Sequence, residues 1–452
     1  MSKTIAAVST PAGLGGIGVI RISGDDATTV ADKVFKGISN KKIADIKGYT
    51  ALYGDFYDTD GKIDSGVALL FRAPKSYTGE NVVEFSCHGG SHIAKRLLRA
   101  CFAAGAAPAD AGEFTKRAFL NKKMDLIEAE SVMELISASG DTQLRLASSA
   151  HMGKTTAKIN DIKSQLLTVA AAVSVSADYP DEDIPVLEEN SLKSSLSNIS
   201  EILKQTIEDY NVGKILRDGV NTAIVGKPNV GKSTLMNLLS GVERSIVTDV
   251  AGTTRDVIED TVVLGELTLK LADTAGIHKT DDTVETVGVS LAKRKMEESQ
   301  LILAVFDSSE PLNEDDREIL ESVKDRNCIV VLNKCDKGSL TDENFFDGFS
   351  VVSISAKLGQ GVKELEDKIN EICLTRKLDP TAAVLISERQ RDCALRAKNS
   401  IDEALNALEL GFTTDAVGVC IDDAISALLE LTGERVTNEV TNEIFKRFCV
   451  GK

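Results

Sequence analysis

A glycine-rich stretch near the middle of the chain has the residue types and spacing that bind a triphosphate. Gly226, four intervening residues, Gly231, Lys232 and Ser233 match the phosphate-binding loop. In such a loop the glycines let backbone N–H groups turn toward phosphates, and the helix that follows adds its dipole. Lys232, which we also place among the catalytic residues, would reach the outer phosphates, and Ser233 would bind Mg²⁺. The residues that we expect at the nucleotide here are Asn229, Val230, Gly231, Lys232, Ser233 and Thr234.

Four further motifs follow in the order of a guanine-nucleotide site. Thr254, in a glycine-bearing loop, is a candidate second Mg²⁺ ligand. Asp273 could organise the metal through water, and the Gly276 amide could sense a terminal phosphate. Asp336 can accept hydrogen bonds from N1–H and the 2-amino group of guanine, which adenine cannot supply. The pocket for the base would be completed by Asn333, Lys334, Ser355, Ala356 and Lys357.

The apolar runs before these motifs indicate buried strands, as the motifs require. The runs at 222–225, 329–332 and 351–354 each end directly before a motif, and the run at 267–272 alternates before Asp273. Five motifs in this order, with a strand pattern ahead of most of them, make GTP binding the best-supported inference from the sequence.

The residue that positions the attacking water is not at its usual place. Ras-like switches carry a glutamine after the glycine, but Ile277 stands here and has no hydrogen bond to give. Glu285 could act as a base through an intervening water. The residues alone support a second interpretation equally well, in which Glu285 is an exposed carboxylate at the start of a helix.

Composition and charge limit the class of protein to which the chain can belong. The 452 residues are 42% hydrophobic and 27% charged, as in soluble globular proteins, with a net charge of −17. That charge argues against indiscriminate binding to nucleic acid or anionic membrane, so an RNA would need a local basic patch or a partner protein. Eight scattered cysteines with no Cys-x-x-Cys pair, and no signal-peptide or membrane-span pattern, favour a cytoplasmic location.

The patterning predicts a multidomain fold. We expect an α+β N-terminal domain over 1–117, a helical domain over 118–215 and 377–452, and an α/β P-loop GTPase domain over 216–376 inserted between its two parts. Separate helical domains before and after the GTPase domain are the alternative.

Three glycines near the N-terminus imitate a dinucleotide-binding motif. Gly13, Gly15 and Gly18 have the required spacing, but that motif must open a helix. A strand pattern follows instead at 19–22, which predicts a glycine-rich turn.

Taken together, these features resemble the MnmE (TrmE) family of tRNA-modification GTPases over essentially the full length. The segments 86–90, 112–121 and 252–256 are family-like, and the terminus Cys449-Val450-Gly451-Lys452 is the most discriminating. The resemblance implies a homodimer with an N-terminal folate-binding dimerisation domain. It also implies a heterotetramer with the FAD-containing protein MnmG that adds an aminomethyl or carboxymethylaminomethyl group at C5 of the tRNA wobble uridine. The carbon would come from 5-formyl- or methylene-tetrahydrofolate, and membrane attachment is not implied.

The resemblance further implies GTP hydrolysis activated by dimerisation, with K⁺ in place of an arginine finger. The Asn229 side chain would bind K⁺, and the loop 248–253 would supply further ligands: Thr248, Val250 and Thr253. A monovalent cation there would offset charge that builds between the β- and γ-phosphates. Glu285 falls where the family has its water-activating glutamate.

Similarity places four charged residues at the folate: Arg21, Glu84, Lys123 and Lys452. A carboxylate such as Glu84 can bind the amino-pyrimidine edge of a pterin, and cationic side chains attract the glutamate tail. Surface charge is the alternative for Arg21 and Glu84. Cys449, beside a Gly-Lys end that we expect to be flexible, is the candidate catalytic thiol, although free cysteines are more often inert core residues.

Two other functions stay open on the sequence. A ribosome-assembly GTPase, acting as a binding switch, would share the nucleotide motifs but leave the Cys-x-Gly-Lys end unexplained. An autonomous one-carbon transferase in residues 1–115, with a merely regulatory GTPase, would turn over folate without GTP.

Overall fold

The computed structural model describes ten stretches of the chain, with the backbone alone described for 176–178, 189, 242, 260, 272 and 343–344. These stretches are residues 3–11, 13–38, 41–178, 189–242, 260–265, 267–272, 296–340, 343–373, 378–379 and 381–452.

The N-terminal part is a seven-stranded sheet covered on one face by two helices, in the strand order β3-β4-β5-β6-β2-β1-β7. Every neighbouring pair is antiparallel except β1 and β7. The elements are β1 (Ile5–Val8), β2 (Ile17–Ser23), α1 (Ala27–Val34), β3 (Phe35–Gly37), β4 (Thr50–Asp58), β5 (Gly61–Phe71), β6 (Val82–His88), α2 (Ser91–Ala103) and β7 (Ala107–Pro108). A strand, β2, directly follows the glycine-rich turn where a dinucleotide motif would open a helix, so the predicted strand is confirmed.

Alternation along β2 separates the core from the opposite face of this sheet. Ile20 and Ile22 are fully buried with Phe85 in the hydrophobic core under the helices. Successive side chains of a strand point to opposite faces, so Arg21 lies on the other face. There it pairs in register with Glu84 of β6.

Five helices follow. They are α3 (Glu113–Leu120), α4 (Leu126–Ser137), α5 (Asp141–His151), α6 (Lys154–Asp178) and α7 (Glu189–Asp218). The start of α4 is fixed by a capping box, in which the Asp125 side chain accepts from the Glu128 N–H and the Glu128 side chain accepts from the Asp125 N–H.

The next part is a six-stranded sheet in the order β13-β12-β11-β8-β10-β9, parallel throughout except where β9 meets β10. Its elements are β8 (Val220–Val225), α8 (Lys232–Val242), β9 (Asp260–Leu264), β10 (Leu267–Ala272), β11 (Leu301–Asp307), α9 (Glu314–Val323), β12 (Cys328–Asn333), β13 (Ser350–Ser353) and α10 (Val362–Cys373). Every residue of β11 and β12 is buried, which explains their unbroken apolar runs. The carboxyl ends of these parallel strands meet at one edge, where such sheets bind ligands.

Three helices complete the chain: α11 (Glu388–Glu409), α12 (Thr414–Thr432) and α13 (Asn438–Lys446). The apolar stripes of α11 and α12 join those of α6 and α7 in one core, in which Ile162, Leu203, Ile401 and Ile421 are buried together. Phe445 of α13 packs instead against α4. The core combines residues from both sides of the nucleotide domain, so that domain is inserted into a single helical bundle. The multidomain fold predicted from the sequence is confirmed, and the alternative of two separate helical domains is not.

The return strap, defined here as residues 381–386, leads the chain from the nucleotide domain back to the bundle. It has no regular secondary structure, yet side chains satisfy its carbonyl groups. Ser149 Oγ donates to two of them (2.9 and 2.8 Å), and Thr155 Oγ1 donates to a third (2.9 Å). The Arg217 guanidinium donates to the carbonyl of Ile386. The strap is therefore a fixed connection between the two domains.

Within the described residues, no helix combines the length and the apolar character needed to cross a bilayer.

Candidate functional site

The loop between β8 and α8 follows a backbone path that requires glycine at two positions. Gly226 has φ 148°, and a Cβ there would lie 2.3 Å from the carbonyl oxygen of Val305. Gly231 has φ 99°, and a Cβ there would lie 2.2 Å from Nδ2 of Asn333. Asn229, between them, also has a left-handed backbone, with φ 67°. The loop thus lies tightly against the ends of β11 and β12.

Lys232 lies inside this loop. Its Nζ donates to the carbonyl oxygens of Gly226 (2.7 Å) and Lys227 (2.8 Å). Burial lowers the pKa of the Lys232 ammonium group below its usual value, because a charge is costly away from water. A phosphate between the loop amides and this ammonium group would offset that cost.

Asn333 joins the phosphate loop to the segment that carries Ser355 and Ala356. Its Nδ2 donates to the Val230 carbonyl (2.9 Å), and its Oδ1 accepts from the Ala356 N–H (3.0 Å). The side chain is 2% exposed. With its amide used in this way, Asn333 holds two loops together, a role that sequence patterns do not reveal.

Lys334 and Asp307 form a second tie to the phosphate loop. Lys334 Nζ donates to the Asn229 carbonyl (2.8 Å) and to Asp307 Oδ2 (2.5 Å). Burial alone would raise the pKa of Asp307, but hydrogen bonds from Lys334 and Ser309 lower it below its usual value. The sequence analysis missed Asp307, although a carboxylate that ends a fully buried strand is a visible signal.

A third tie, also missed, holds the solvent side of the loop. Lys227 Nζ donates to Asp316 Oδ2 (2.6 Å) and to Asn313 Oδ1 (3.1 Å). These two residues form the capping box of α9, so the loop is anchored to the start of that helix.

Asp336 is oriented by Ser355. Its Oδ1 accepts from Ser355 Oγ at 2.7 Å, and Ser355 is fully buried. That hydrogen bond, assisted by the charge of Lys357, lowers the pKa of Asp336, so the group is a carboxylate at neutral pH. Lys357 is exposed beside it. The arrangement presents an acceptor that suits the hydrogen-bond donors of guanine.

Seven of the predicted site residues lie outside the described residues. They are Thr248, Val250, Thr253, Thr254, Asp273, Gly276 and Glu285.

A second group of predicted site residues meets on the open face of the N-terminal sheet. Arg21 Nε donates to Glu84 Oε1 at 2.8 Å, and both side chains are mostly buried. The Arg21 guanidinium lies 5.4 Å from the ring centroid of Tyr77 and 5.5 Å from that of Phe114. This group of residues, called the tail pocket below, consists of the Arg21–Glu84 ion pair and the rings of Tyr77 and Phe114.

The C-terminal tail docks at this pocket, although we expected it to be flexible. Val450 bridges to Ala111 in antiparallel fashion, and the Gly451 carbonyl accepts from Ser9 Oγ (3.1 Å). The same carbonyl lies 3.5 Å from Nη1 of Arg21. A flexible tail is thus the wrong prediction, because backbone pairing with a distant segment fixes it.

The four predicted folate residues are brought together only in part. Arg21 and Glu84 are in contact, and the backbone of Lys452 lies beside them, since its carbonyl accepts from the Phe114 N–H (3.1 Å). Lys123 lines an open groove together with Tyr77, and its Nζ donates to the Pro74 carbonyl (3.1 Å).

Comparisons with known proteins cover the whole chain. A family model described as "MnmE helical domain" matches residues 126–449, and one described as "GTP-binding protein TrmE N-terminus" matches residues 4–123. The tRNA modification GTPase MnmE of Clostridioides difficile is 40% identical over 457 residues, covering 100% of both chains. That of Acetivibrio thermocellus is 38% identical, covering 99% of both. Among solved structures, Aquifex aeolicus Era bound to GDP and AlF4⁻ is 30% identical over 40% of this chain and 66% of its own, with a TM-score of 0.28.

Proposed function

Because this chain belongs to the MnmE family of tRNA modification GTPases, we propose that it couples K⁺-dependent GTP hydrolysis to modification of the tRNA wobble uridine. It is a GTP hydrolase. The observation that favours modification over a ribosome-assembly switch is the docked tail, which places Gly451 beside Arg21 and Glu84. A switch that only binds ribosomal particles would have no use for this pocket.

The nucleotide would be held by the phosphate loop, which the three ties described above keep in place. Lys232 contacts the outer phosphates, and Asp336, oriented by Ser355, reads the guanine edge. Hydroxyl oxygens suit a hard cation, so Ser233 and Thr254 would bind Mg²⁺, which neutralises phosphate charge during transfer. Asp273 and Gly276 would respond to the terminal phosphate, and Asn333 keeps the loops in register.

A K⁺ ion would be held by oxygen atoms of Asn229, Thr248, Val250 and Thr253, and would supply positive charge as phosphoryl transfer proceeds. Support comes from the hydrogen bond of Lys334 to the Asn229 carbonyl, which fixes the left-handed backbone at this position. Glu285 would orient and deprotonate the attacking water through a second water.

Replacing K⁺ by Na⁺ at constant ionic strength tests the cation. We expect GTP turnover to fall while the affinity for GTP stays nearly unchanged, because the ion acts on charge that develops during the reaction. Equal turnover in the two salts would contradict K⁺ dependence without affecting the assignment as a GTPase.

The tail pocket would hold 5-formyl- or methylene-tetrahydrofolate, which supplies the one-carbon unit. Glu84 can accept hydrogen bonds from an amino-pyrimidine edge, while Arg21, Lys123 and Lys452 attract the carboxylates of the glutamate tail. The exposed thiol of Cys449 would lie at the mouth of this pocket.

We further propose a cytoplasmic homodimer that assembles with the FAD-containing protein MnmG into a heterotetramer and acts on tRNA. The test is mass spectrometry of tRNA nucleosides from cells that lack the gene. We expect loss of the aminomethyl and carboxymethylaminomethyl wobble uridines. An unchanged profile, together with GTP-dependent co-sedimentation with ribosomal subunits, would favour the ribosome-assembly alternative.

A further inference from the structure

An open groove beside the tail pocket combines aromatic rings with cationic side chains. Its lining includes Tyr49, Phe71, Lys75, Tyr77 and Lys123. Flat rings that alternate with cations are the surface on which proteins bind single-stranded nucleic acid, because bases stack on the rings and phosphates pair with the cations.

Tyr49 is held in place but remains accessible. Its φ of 61° is a left-handed backbone that a bulky residue rarely adopts. Its N–H donates to the Leu70 carbonyl (2.7 Å), and its hydroxyl donates to the Lys75 carbonyl (2.8 Å). The Phe71 ring lies edge-on to it, with centroids 5.7 Å apart. The residue is nonetheless 62% exposed, so a rigid ring faces solvent.

The charge around the groove suits a polyanion. In the described part of the chain, Lys75, Lys122 and Lys123 are exposed and form no ion pair with a carboxylate. Residues 1–123 contain 17 basic and 12 acidic side chains, a net charge of +5, whereas the whole chain carries −17. Phosphates are therefore repelled by most of the molecule and attracted to this part.

The groove adjoins the tail pocket through a shared wall. Tyr77 lines the groove, and the Arg21 guanidinium lies 5.4 Å from the centroid of the same ring. A base held in the groove would therefore lie next to the pocket formed by Arg21 and Glu84.

We propose that this groove binds an unpaired nucleobase of a single-stranded RNA loop, stacked against the Tyr49 side of the groove with its phosphates near Lys75, the groove cation that the folate proposal does not use. The proposal rests on the proposed function, because it identifies where a tRNA loop meets the protein. The exposed Tyr49 ring, beside the half-buried Phe71 and Tyr77, favours RNA over an acidic protein segment, since every base offers a face to stack.

Fluorescence anisotropy with the full chain tests the groove, using a labelled RNA hairpin with an anticodon-sized loop and a blunt RNA duplex. The variants are Tyr49→Leu, Tyr49→Phe and, as a matched control outside the groove, Tyr53→Leu, whose tyrosine is 58% exposed on β4. Losing one stacking ring should weaken hairpin binding on the order of tenfold in Tyr49→Leu. Tyr49→Phe, which keeps the ring, and Tyr53→Leu should bind as the wild type does. Duplex binding should be weaker in the wild type and unaffected by Tyr49→Leu.

Four other outcomes would contradict the proposal that the groove binds an RNA loop. They are an absence of hairpin binding by the wild type, an equal loss in Tyr49→Leu and Tyr53→Leu, no loss in either, or an equal effect on hairpin and duplex. Two further outcomes in Tyr49→Leu would assign the groove to another ligand. Weaker tetrahydrofolate binding with unchanged RNA binding would assign it to folate. A change in oligomeric state, measured by light scattering, would assign it to a second copy of the chain. Wobble-uridine analysis in complemented cells separates the two proposals. If cells that lack the gene lose the modification and the wild-type gene restores it, the proposed function stands even when RNA binding in the groove is disproved.

Discussion

Asn333 shows how a residue expected at the ligand serves the architecture of the site. We expect Asn333→Ala to lower the free energy of unfolding by about 2–3 kcal/mol, because it leaves the Val230 carbonyl and the Ala356 N–H without their partner. GTP affinity should fall with it, since the phosphate loop loses its tie. Urea unfolding followed by circular dichroism, with GTP titration, measures both. Asn406→Ala, at an exposed position of α11, is the control and should change neither.

Cysteine reactivity should separate Cys449 from the other thiols. All eight cysteines lie in the described residues, and Cys449 alone among them is exposed. Burial raises the pKa of Cys87 to about 11 and that of Cys101 to about 12, which keeps both thiols protonated at pH 8. Because the thiolate is the reacting form, iodoacetamide at pH 8 should modify Cys449 first, and Cys87 should become reactive only as the pH approaches 11.

Peptide mass spectrometry after brief labelling identifies the modified thiol. Cys449→Ser should remove the fast phase, whereas Cys101→Ser, at a buried position, should leave it unchanged. A fast phase that survives in Cys449→Ser would contradict the assignment.

At the scale of elements, the return strap depends on side chains from the helices α5 and α6. Ser149→Ala removes a hydroxyl that is 4% exposed and that bonds two strap carbonyls. We expect a loss of about 1 kcal/mol in the free energy of unfolding, because the Ala382 carbonyl loses its donor, whereas the Thr381 carbonyl keeps that of Lys154 Nζ (2.8 Å). Unfolding by urea, monitored by circular dichroism, checks this. Ser197→Ala, at an exposed position of α7, should leave the midpoint unchanged, and equal effects would mean that the strap is not held by Ser149.

A second prediction at the scale of elements concerns the docked C-terminal tail. Gly451 has φ 99°, and a Cβ there would lie 2.3 Å from the Val8 carbonyl oxygen. Gly451→Ala should therefore displace the tail and weaken tetrahydrofolate binding by about tenfold. An alanine in a left-handed backbone costs about 1–2 kcal/mol, and a free energy of that size corresponds to a roughly tenfold change in affinity. Calorimetric titration measures the affinity. Val450→Ala, at a side chain that is 60% exposed, is the control, and an unchanged affinity in Gly451→Ala would place folate elsewhere.

The elements that the sequence predicted well are those whose burial is uniform. Strands β8 and β12 gave apolar runs because parallel strands are covered on both faces, and the stripes of α6 and α7 gave a helical period. The equally buried strand β11 was not predicted. The docking of Val450 against Ala111 could not be read from the chain, because it depends on a backbone contact between distant segments. For the same reason, motif matching located Asn333 but missed what its amide holds.

At the scale of the whole molecule, nucleotide binding should act on a domain that is joined firmly to the bundle. A ligand that binds only the folded state, at one hundred times its dissociation constant, adds about 2.7 kcal/mol to the stability. We expect GTP to raise the thermal midpoint of the full chain and ATP at the same concentration to have little effect, because Asp336 is placed to accept from guanine. Differential scanning calorimetry measures the shift. Equal shifts with both nucleotides would contradict guanine specificity and with it the proposed function.

The hydrogen bond between Arg217 and the carbonyl of Ile386 joins the last turn of α7 to the end of the strap. The points of departure and return are therefore close neighbours, a condition under which a module can be grafted into a host or excised from it. A connector of a few residues in place of 219–385 should let the remaining helices close around their shared interior.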